Sequence, residues 1–141
     1  MAAVPNRWRH GSEKWMIHPS VATGRCFDAA AAVTDVARRY PAPDLALNQC
    51  SIACGHLTAR LGVIGVSDLQ QLEVSGPTGS TNPHPRLPAA HSVLRIGAQV
   101  VDVTWAQIDV QSEVPFKLYE SLDDLRGDWT QVRDWFTSKV I

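Results

Sequence analysis

The chain has 141 residues, of which 45% are hydrophobic and 19% charged, and its formal net charge is −1. This length and composition are typical of one globular domain that buries a core without a metal or a disulfide. The near-neutral charge argues against nucleic acid or an anionic membrane as a partner, because both select basic surfaces. No apolar run is long enough for a membrane span or a signal peptide. We expect a single domain over residues 1–141, either cytoplasmic or exported by a specialised secretion system that needs no signal peptide.

The first half of the chain is predicted to contain an arm, a helix, a strand and a loop. Residues 1–22 are predicted to be irregular. Residues 26–40 are predicted to be helical, because apolar side chains recur at helical spacing around a run of alanines. A strand is predicted at 51–59. Residues 75–90 hold four prolines and two glycines, and we predict a loop that gates access to the site described below.

The second half of the chain is predicted to be built on a β-hairpin. Residues 91–96 and 99–104 are rich in β-forming side chains and flank a tight turn. A further strand is predicted at 114–119. A final helix, capped by Ser121, is predicted to run toward Ser138. The expected class is α+β, with an N-terminal helix packed on an antiparallel sheet.

Three residues from different elements form the candidate catalytic site. Cys26 begins the first predicted helix, where the partial positive charge of a helix N-terminus favours the thiolate. His91 opens the hairpin, and Asp102 lies on its second strand. The hairpin register places these two side chains on one face, one diagonal step apart. A thiol, an imidazole that activates it and a carboxylate that orients the imidazole form a nucleophilic triad, so we predict Cys26, His91 and Asp102 as catalytic.

The chain resembles the transglutaminase-like branch of the papain-like cysteine enzymes over about residues 20–120. The matching motifs are Gly24-Arg25-Cys26, His91-Ser92-Val93 and Asp102-Val103-Thr104. Ser92 and Val93 stand where the family usually has alanine and tryptophan, and Val103 stands where it has proline. The resemblance implies a papain/transglutaminase-like core, with the cysteine on a helix and the histidine and aspartate on the sheet. Small bacterial or phage-borne proteins and toxin domains have this layout.

The resemblance implies acyl transfer from a protein or peptide amide, as in a glutamine deamidase, a transglutaminase or a thiol protease. The protein would be a hydrolase or a transferase, and a bacterial toxin or effector is one version. Two other functions remain open: an inactive binding module on the same fold, and a peptidoglycan amidase. The expected partner is a protein or peptide substrate, and no cofactor is expected.

Several further residues are candidates for binding substrate or for stabilising an oxyanion. A side-chain donor is needed beside the backbone N–H of the nucleophile. Candidates for this donor are Asn48, Gln49, His18 and Ser20. Trp105 and Gln107 follow Asp102 in the chain and are candidates for lining or shielding the site.

A zinc site is not expected from Cys50, Cys54 and His56. These residues share parity along the predicted strand, so their side chains would point to one face. A strand separates the first and last of them by about 20 Å, which is too far for one ion with bonds of about 2.0–2.3 Å. The two cysteines are therefore interpreted as buried structural residues, and no metal is expected.

Overall fold

A computed structural model describes residues 25–79 and 81–141, with side chains from residue 29 onward. It has α+β architecture, which agrees with the predicted class. The elements in chain order are α1 (Arg25–Ala37), α2 (Pro43–Ala46), α3 (Cys50–Val63), β1 (Leu69–Pro77), β2 (Ala90–Ile96), β3 (Gln99–Asp102), a 3-10 helix (Trp105–Gln107), β4 (Lys117–Tyr119), α4 (Leu122–Asp128) and β5 (Trp129–Asp134). The arm predicted at residues 1–22 lies outside the described residues. Across the described ranges, no helix has the length and apolarity needed to cross a membrane.

The five strands form one antiparallel sheet in the order β4-β3-β2-β1-β5. The hairpin of β2 and β3 has the predicted register, with Ile96 opposite Gln99 and Arg95 opposite Val100. Because β2 and β3 are antiparallel neighbours, the first residues of β2 and the last residues of β3 lie side by side at one end of the hairpin. His91 and Asp102 lie there.

The core has one layer on each face of the sheet. Helix α3 packs on β2, and α1 packs against α3. Alanine, valine and leucine side chains of these helices meet Leu94, Ile96, Val101 and Val103 of the sheet region. The opposite face carries a second cluster, which includes Leu72, Val74, Val93, Val100, Trp105, Leu125 and Trp129. The sheet is therefore buried on both faces, and polar groups within it need partners.

The strand predicted at 51–59 is wrong, because this segment belongs to α3. The buried side chains of α3 are Ala53, Cys54, Leu57 and Leu61. Their spacing of three and four residues is that of a helix face. As a consequence, Cys50 begins a helix.

The final helix is shorter than predicted. It starts as expected, since Ser121 Oγ accepts a hydrogen bond of 3.2 Å from the N–H of Asp124. The chain leaves the helix after Asp128 and continues as β5, which pairs with β1. Trp129 and Val132 are buried, and their spacing of three residues is also typical of apolar residues on one face of a helix. The sequence therefore resembles a longer helix, whereas pairing with β1 stabilises a strand.

Candidate active site

A buried histidine and a buried aspartate form the centre of the site. His91 Nε2 lies 2.6 Å from Asp102 Oδ2, and the two side chains are 1% and 0% exposed. A buried carboxylate is costly unless it is paired and hydrogen-bonded. The structure thus brings together two of the three side chains that were predicted as catalytic.

Thr104 holds the other oxygen of the carboxylate. Asp102 Oδ1 accepts hydrogen bonds from the Thr104 N–H at 3.0 Å and from Thr104 Oγ1 at 3.4 Å. The two carboxylate oxygens therefore have different partners: Thr104 holds Oδ1, and Oδ2 faces the imidazole. Such second contacts orient a carboxylate that orients a histidine.

The indole of Trp129 covers one face of the imidazole. The ring centroids of His91 and Trp129 are 5.5 Å apart, and the ring planes differ by 18°, so the rings are stacked. Trp129 is 1% exposed, and it begins β5, which is distant from His91 in the sequence. Because stacking restricts rotation of the imidazole, Trp129 helps to fix the direction of both ring nitrogens. The sequence analysis missed this residue.

The thiol that contacts His91 belongs to Cys50, the first residue of α3. Burial acts to raise the pKa of this thiol. The hydrogen bond with the His91 side chain, the charge of the imidazolium and a hydrogen bond from the Ser92 backbone N–H oppose it. These interactions prevail over burial and over the negative charge of Asp102, and the Cys50 pKa is lowered. A lowered pKa favours the thiolate, which is the nucleophilic form of a cysteine.

The imidazole of His91 is held in its charged form. Burial alone would lower the His91 pKa, but the charge of Asp102 and the hydrogen bonds with Asp102 and Cys50 raise it to about 10. Because Nε2 faces Asp102, Nδ1 is the ring nitrogen left for the sulfur. A lowered thiol pKa beside a raised imidazole pKa is the arrangement that favours a thiolate–imidazolium pair.

Cys54 lies one turn further along α3 and has the opposite character. It is 1% exposed. Burial, and then the negative charges of Asp102 and Cys50, raise its pKa well above the ordinary value. Cys54 is therefore an unreactive core thiol, as the sequence analysis interpreted it. Cys50 differs from Cys54 because it is only partly buried and its thiol contacts His91.

Cys26 lies on α1, but its side chain lies outside the described residues. Its predicted role as nucleophile stays a prediction. Both Cys26 and Cys50 stand at helix starts, and Cys50 is the one shown beside His91. If residues 50–63 had been predicted to be helical, Cys50 would have been a second cysteine at a helix start and therefore a second candidate for the nucleophile.

The turn before Cys50 contains two of the predicted oxyanion residues. Gln49 directly precedes α3 as its N-cap residue. Asn48 has a left-handed backbone with φ 63°, which asparagine tolerates better than most residues. First-turn N–H groups of a helix lack intrahelical acceptors, and the N–H of Cys50, which follows Asn48 and Gln49, lies in this first turn. The earlier candidates His18 and Ser20 lie outside the described residues.

The other two predicted binding residues lie in the interior. Trp105 is 5% exposed, and the ammonium of Lys117 stands 4.7 Å from the centroid of its ring. Gln107 is 0% exposed, and its amide is hydrogen-bonded to Thr104 and to the backbone of Asn48. Both side chains are thus buried, and their role in lining or shielding the site stays a prediction.

No three metal-binding side chains converge within residues 25–79 and 81–141. On helix α3 the ring nitrogens of His56 lie 2.8 and 3.0 Å from Arg39 Nη1, away from the two cysteines of the helix. The strand argument used against zinc therefore does not hold, because the segment is helical.

Neither a family model, nor a curated protein, nor a solved structure matches the chain.

Proposed function

We propose that this protein is a cysteine-nucleophile acyl-transfer enzyme acting on a protein or peptide amide. Cys50 is the nucleophile, His91 the general acid and base, and Asp102 the residue that orients His91. The observation that carries the proposal is the continuous contact from the Cys50 thiol through His91 to the buried carboxylate of Asp102. The buried ion pair of His91 and Asp102 is a costly arrangement, and activation of a thiol would explain it.

The position of Cys50 supports its role in two ways. The N-terminus of α3 carries a partial positive charge that stabilises the thiolate. The same helix end offers free backbone N–H groups, which can donate to the oxygen of a tetrahedral intermediate. The Asn48 and Gln49 amides are the candidates for a second donor. When Cys50 attacks a carbonyl carbon, the negative charge that develops on the carbonyl oxygen would thus lie beside hydrogen-bond donors.

Each step of the reaction is accounted for by these groups. The Cys50 thiolate attacks the carbonyl carbon of the amide and forms a C–S bond, and the carbonyl electrons move to oxygen. When the intermediate collapses, the C–N bond breaks and the His91 imidazolium donates its proton to the leaving nitrogen. A thioester remains. Water or an amine then attacks the thioester while neutral His91 accepts its proton, and Cys50 leaves as the thiolate.

The proposed fold family is the transglutaminase-like branch of the papain-like enzymes. Support comes from a cysteine at the start of a helix that packs on the strand carrying the histidine. In this proposal α3 takes the role that the sequence analysis gave to the first helix. The His91 and Asp102 motifs keep their roles.

Mass spectrometry of β-casein after incubation with the protein, with and without cadaverine, tests the proposed function. Deamidation adds about 1 Da per glutamine, cadaverine incorporation marks transfer to an amine, and new termini mark peptide cleavage. We expect one of these changes with the wild type and with Cys54→Ala, and none with Cys50→Ala. A change that persists in Cys50→Ala contradicts the assignment of the nucleophile. The absence of any change, together with no acyl adduct on Cys50, supports the inactive binding module instead.

A further inference from the structure

Gln107 is the one fully buried amide side chain among the described residues, at 0% exposure. A primary amide buried without hydrogen-bond partners is strongly destabilising, so the contacts of Gln107 are informative. Gln107 Nε2 donates to Thr104 Oγ1 at 3.0 Å, and Gln107 Oε1 accepts from the Asn48 backbone N–H at 3.4 Å. Both ends of the amide are therefore engaged, and both partners belong to the surroundings of the candidate site.

The hydrogen bonds through Gln107 all run in one direction. The Asn48 N–H donates to Gln107, the Gln107 amide donates to Thr104, and Thr104 Oγ1 donates to Asp102 Oδ1. Hydrogen bonds aligned in this way polarise one another in a low-dielectric interior. This chain ends on the carboxylate that binds His91. It begins in the left-handed turn immediately before Cys50.

The turn at Asn48 sets where the Cys50 thiol lies. The chain passes from α2 to α3 through residues 47–49 only, so the direction of the first turn of α3 depends on this turn. Left-handed conformations in non-glycine residues persist where the surroundings hold them. In the described structure the backbone N–H of Asn48 is held by Gln107.

We infer that Gln107 is a positioning residue, which ties the turn that carries Cys50 to the carboxylate that orients His91. This inference rests on the proposed function, since it concerns the geometry of the proposed Cys50–His91 pair. Gln107 acts through Asn48 and Thr104 and does not touch the substrate. Its role thus differs from the binding role that the sequence suggested.

The test is the pH dependence of Cys50 alkylation by iodoacetamide in Gln107→Leu. Loss of the hydrogen-bond chain should weaken the contact between Cys50 and His91 and move the alkylation midpoint upward by about one pH unit, so that the rate at a pH below the wild-type midpoint falls by up to about tenfold. Gln99→Leu is the matched control. Gln99 is another buried glutamine, 5% exposed, and its Oε1 has no hydrogen-bond partner among the described residues. We expect Gln99→Leu to keep the wild-type profile.

Thr104 variants test the same chain without changing Gln107. Thr104→Val should shift the alkylation profile in the same direction, while Thr104→Ser, which keeps the hydroxyl, should restore it. In the double variant Gln107→Leu/Thr104→Val the shifts should be less than additive, because both substitutions break one network. These variants also keep the inference testable if Gln107→Leu does not fold.

The outcomes separate the inference from the proposed function. If Gln107→Leu has a lower melting temperature but the wild-type alkylation profile, Gln107 is purely structural and the inference is overturned. If Gln99→Leu shifts the profile equally, the effect is not specific to this chain of hydrogen bonds, which also overturns it. If wild-type Cys50 itself titrates as an ordinary thiol, the proposed function fails instead.

Discussion

Replacing Asp102 with asparagine is expected to reduce turnover by about three to four orders of magnitude, the loss typical when a triad loses its orienting carboxylate. The charge of Asp102 raises the His91 pKa, and Asp102 Oδ2 fixes the direction of His91 Nε2. An amide keeps the shape of the carboxylate but removes the charge, and it can present an N–H to the imidazole. The imidazole would then be neutral and misdirected, and the Cys50 thiolate would lose its counter-ion.

The measurement is the initial rate on the amide substrate found by mass spectrometry, together with urea unfolding. Asp128→Asn is the matched control. Asp128 is a partly buried carboxylate that contacts Lys117 at 2.5 Å and Tyr119 at 2.7 Å, whereas Asp102 is the carboxylate that contacts His91. We expect Asp128→Asn to retain activity within about threefold while changing stability. Equal activity losses in the two variants would contradict a specific role for Asp102.

The second large effect concerns stability and its dependence on pH. The folded His91 pKa of about 10 lies above the ordinary value of 6.5. The bound proton therefore stabilises the folded state fully below the ordinary pKa, and this stabilisation is lost as the pH rises toward 10. The free energy of unfolding should fall in that window by up to about 1.4 kcal/mol per pH unit, which corresponds to a difference of one bound proton between the folded and unfolded states.

The slope should be measured in a Cys50→Ala background. In the wild type the lowered Cys50 pKa has the opposite effect over part of the window, because folding releases the thiol proton. Urea unfolding of Cys50→Ala between pH 6 and 10 should still show stability falling with pH, because the charge and hydrogen bond of Asp102 keep the His91 pKa raised, but the fall should end at a lower pH than in the wild type because the contribution of Cys50 is lost. The added substitution His91→Gln should remove the slope and destabilise most at the acidic end. A slope that is unchanged in the double variant would show that His91 is not the group that titrates.

The local parts of the fold could be predicted from the sequence. The β2–β3 hairpin has a tight turn and β-rich flanks, so its register followed, and with it the proximity of His91 and Asp102. The Ser121 cap is likewise encoded by adjacent residues. In each case the contacts join residues close in sequence.

The parts that were missed depend on long-range packing. Residues 50–63 are helical because Ala53 and Leu57 are buried beneath the helix against the sheet, a constraint that short-range alternation does not reveal. Strand β5 is stabilised by antiparallel pairing with β1, which is distant from it in the sequence. The strand assignment hid the helix start at Cys50, so the sequence analysis gave the nucleophile role to Cys26.

The central claim, that Cys50 is the activated thiol, is tested most directly by limited alkylation of the folded protein with iodoacetamide at neutral pH. Peptide mapping then gives the separate rates for Cys26, Cys50 and Cys54. We expect Cys50 to react at least about tenfold faster than the other two, because its pKa is lowered while that of Cys54 is raised. We expect His91→Ala to abolish this preference. Faster labelling of Cys26, or equal labelling of all three thiols, would contradict the assignment.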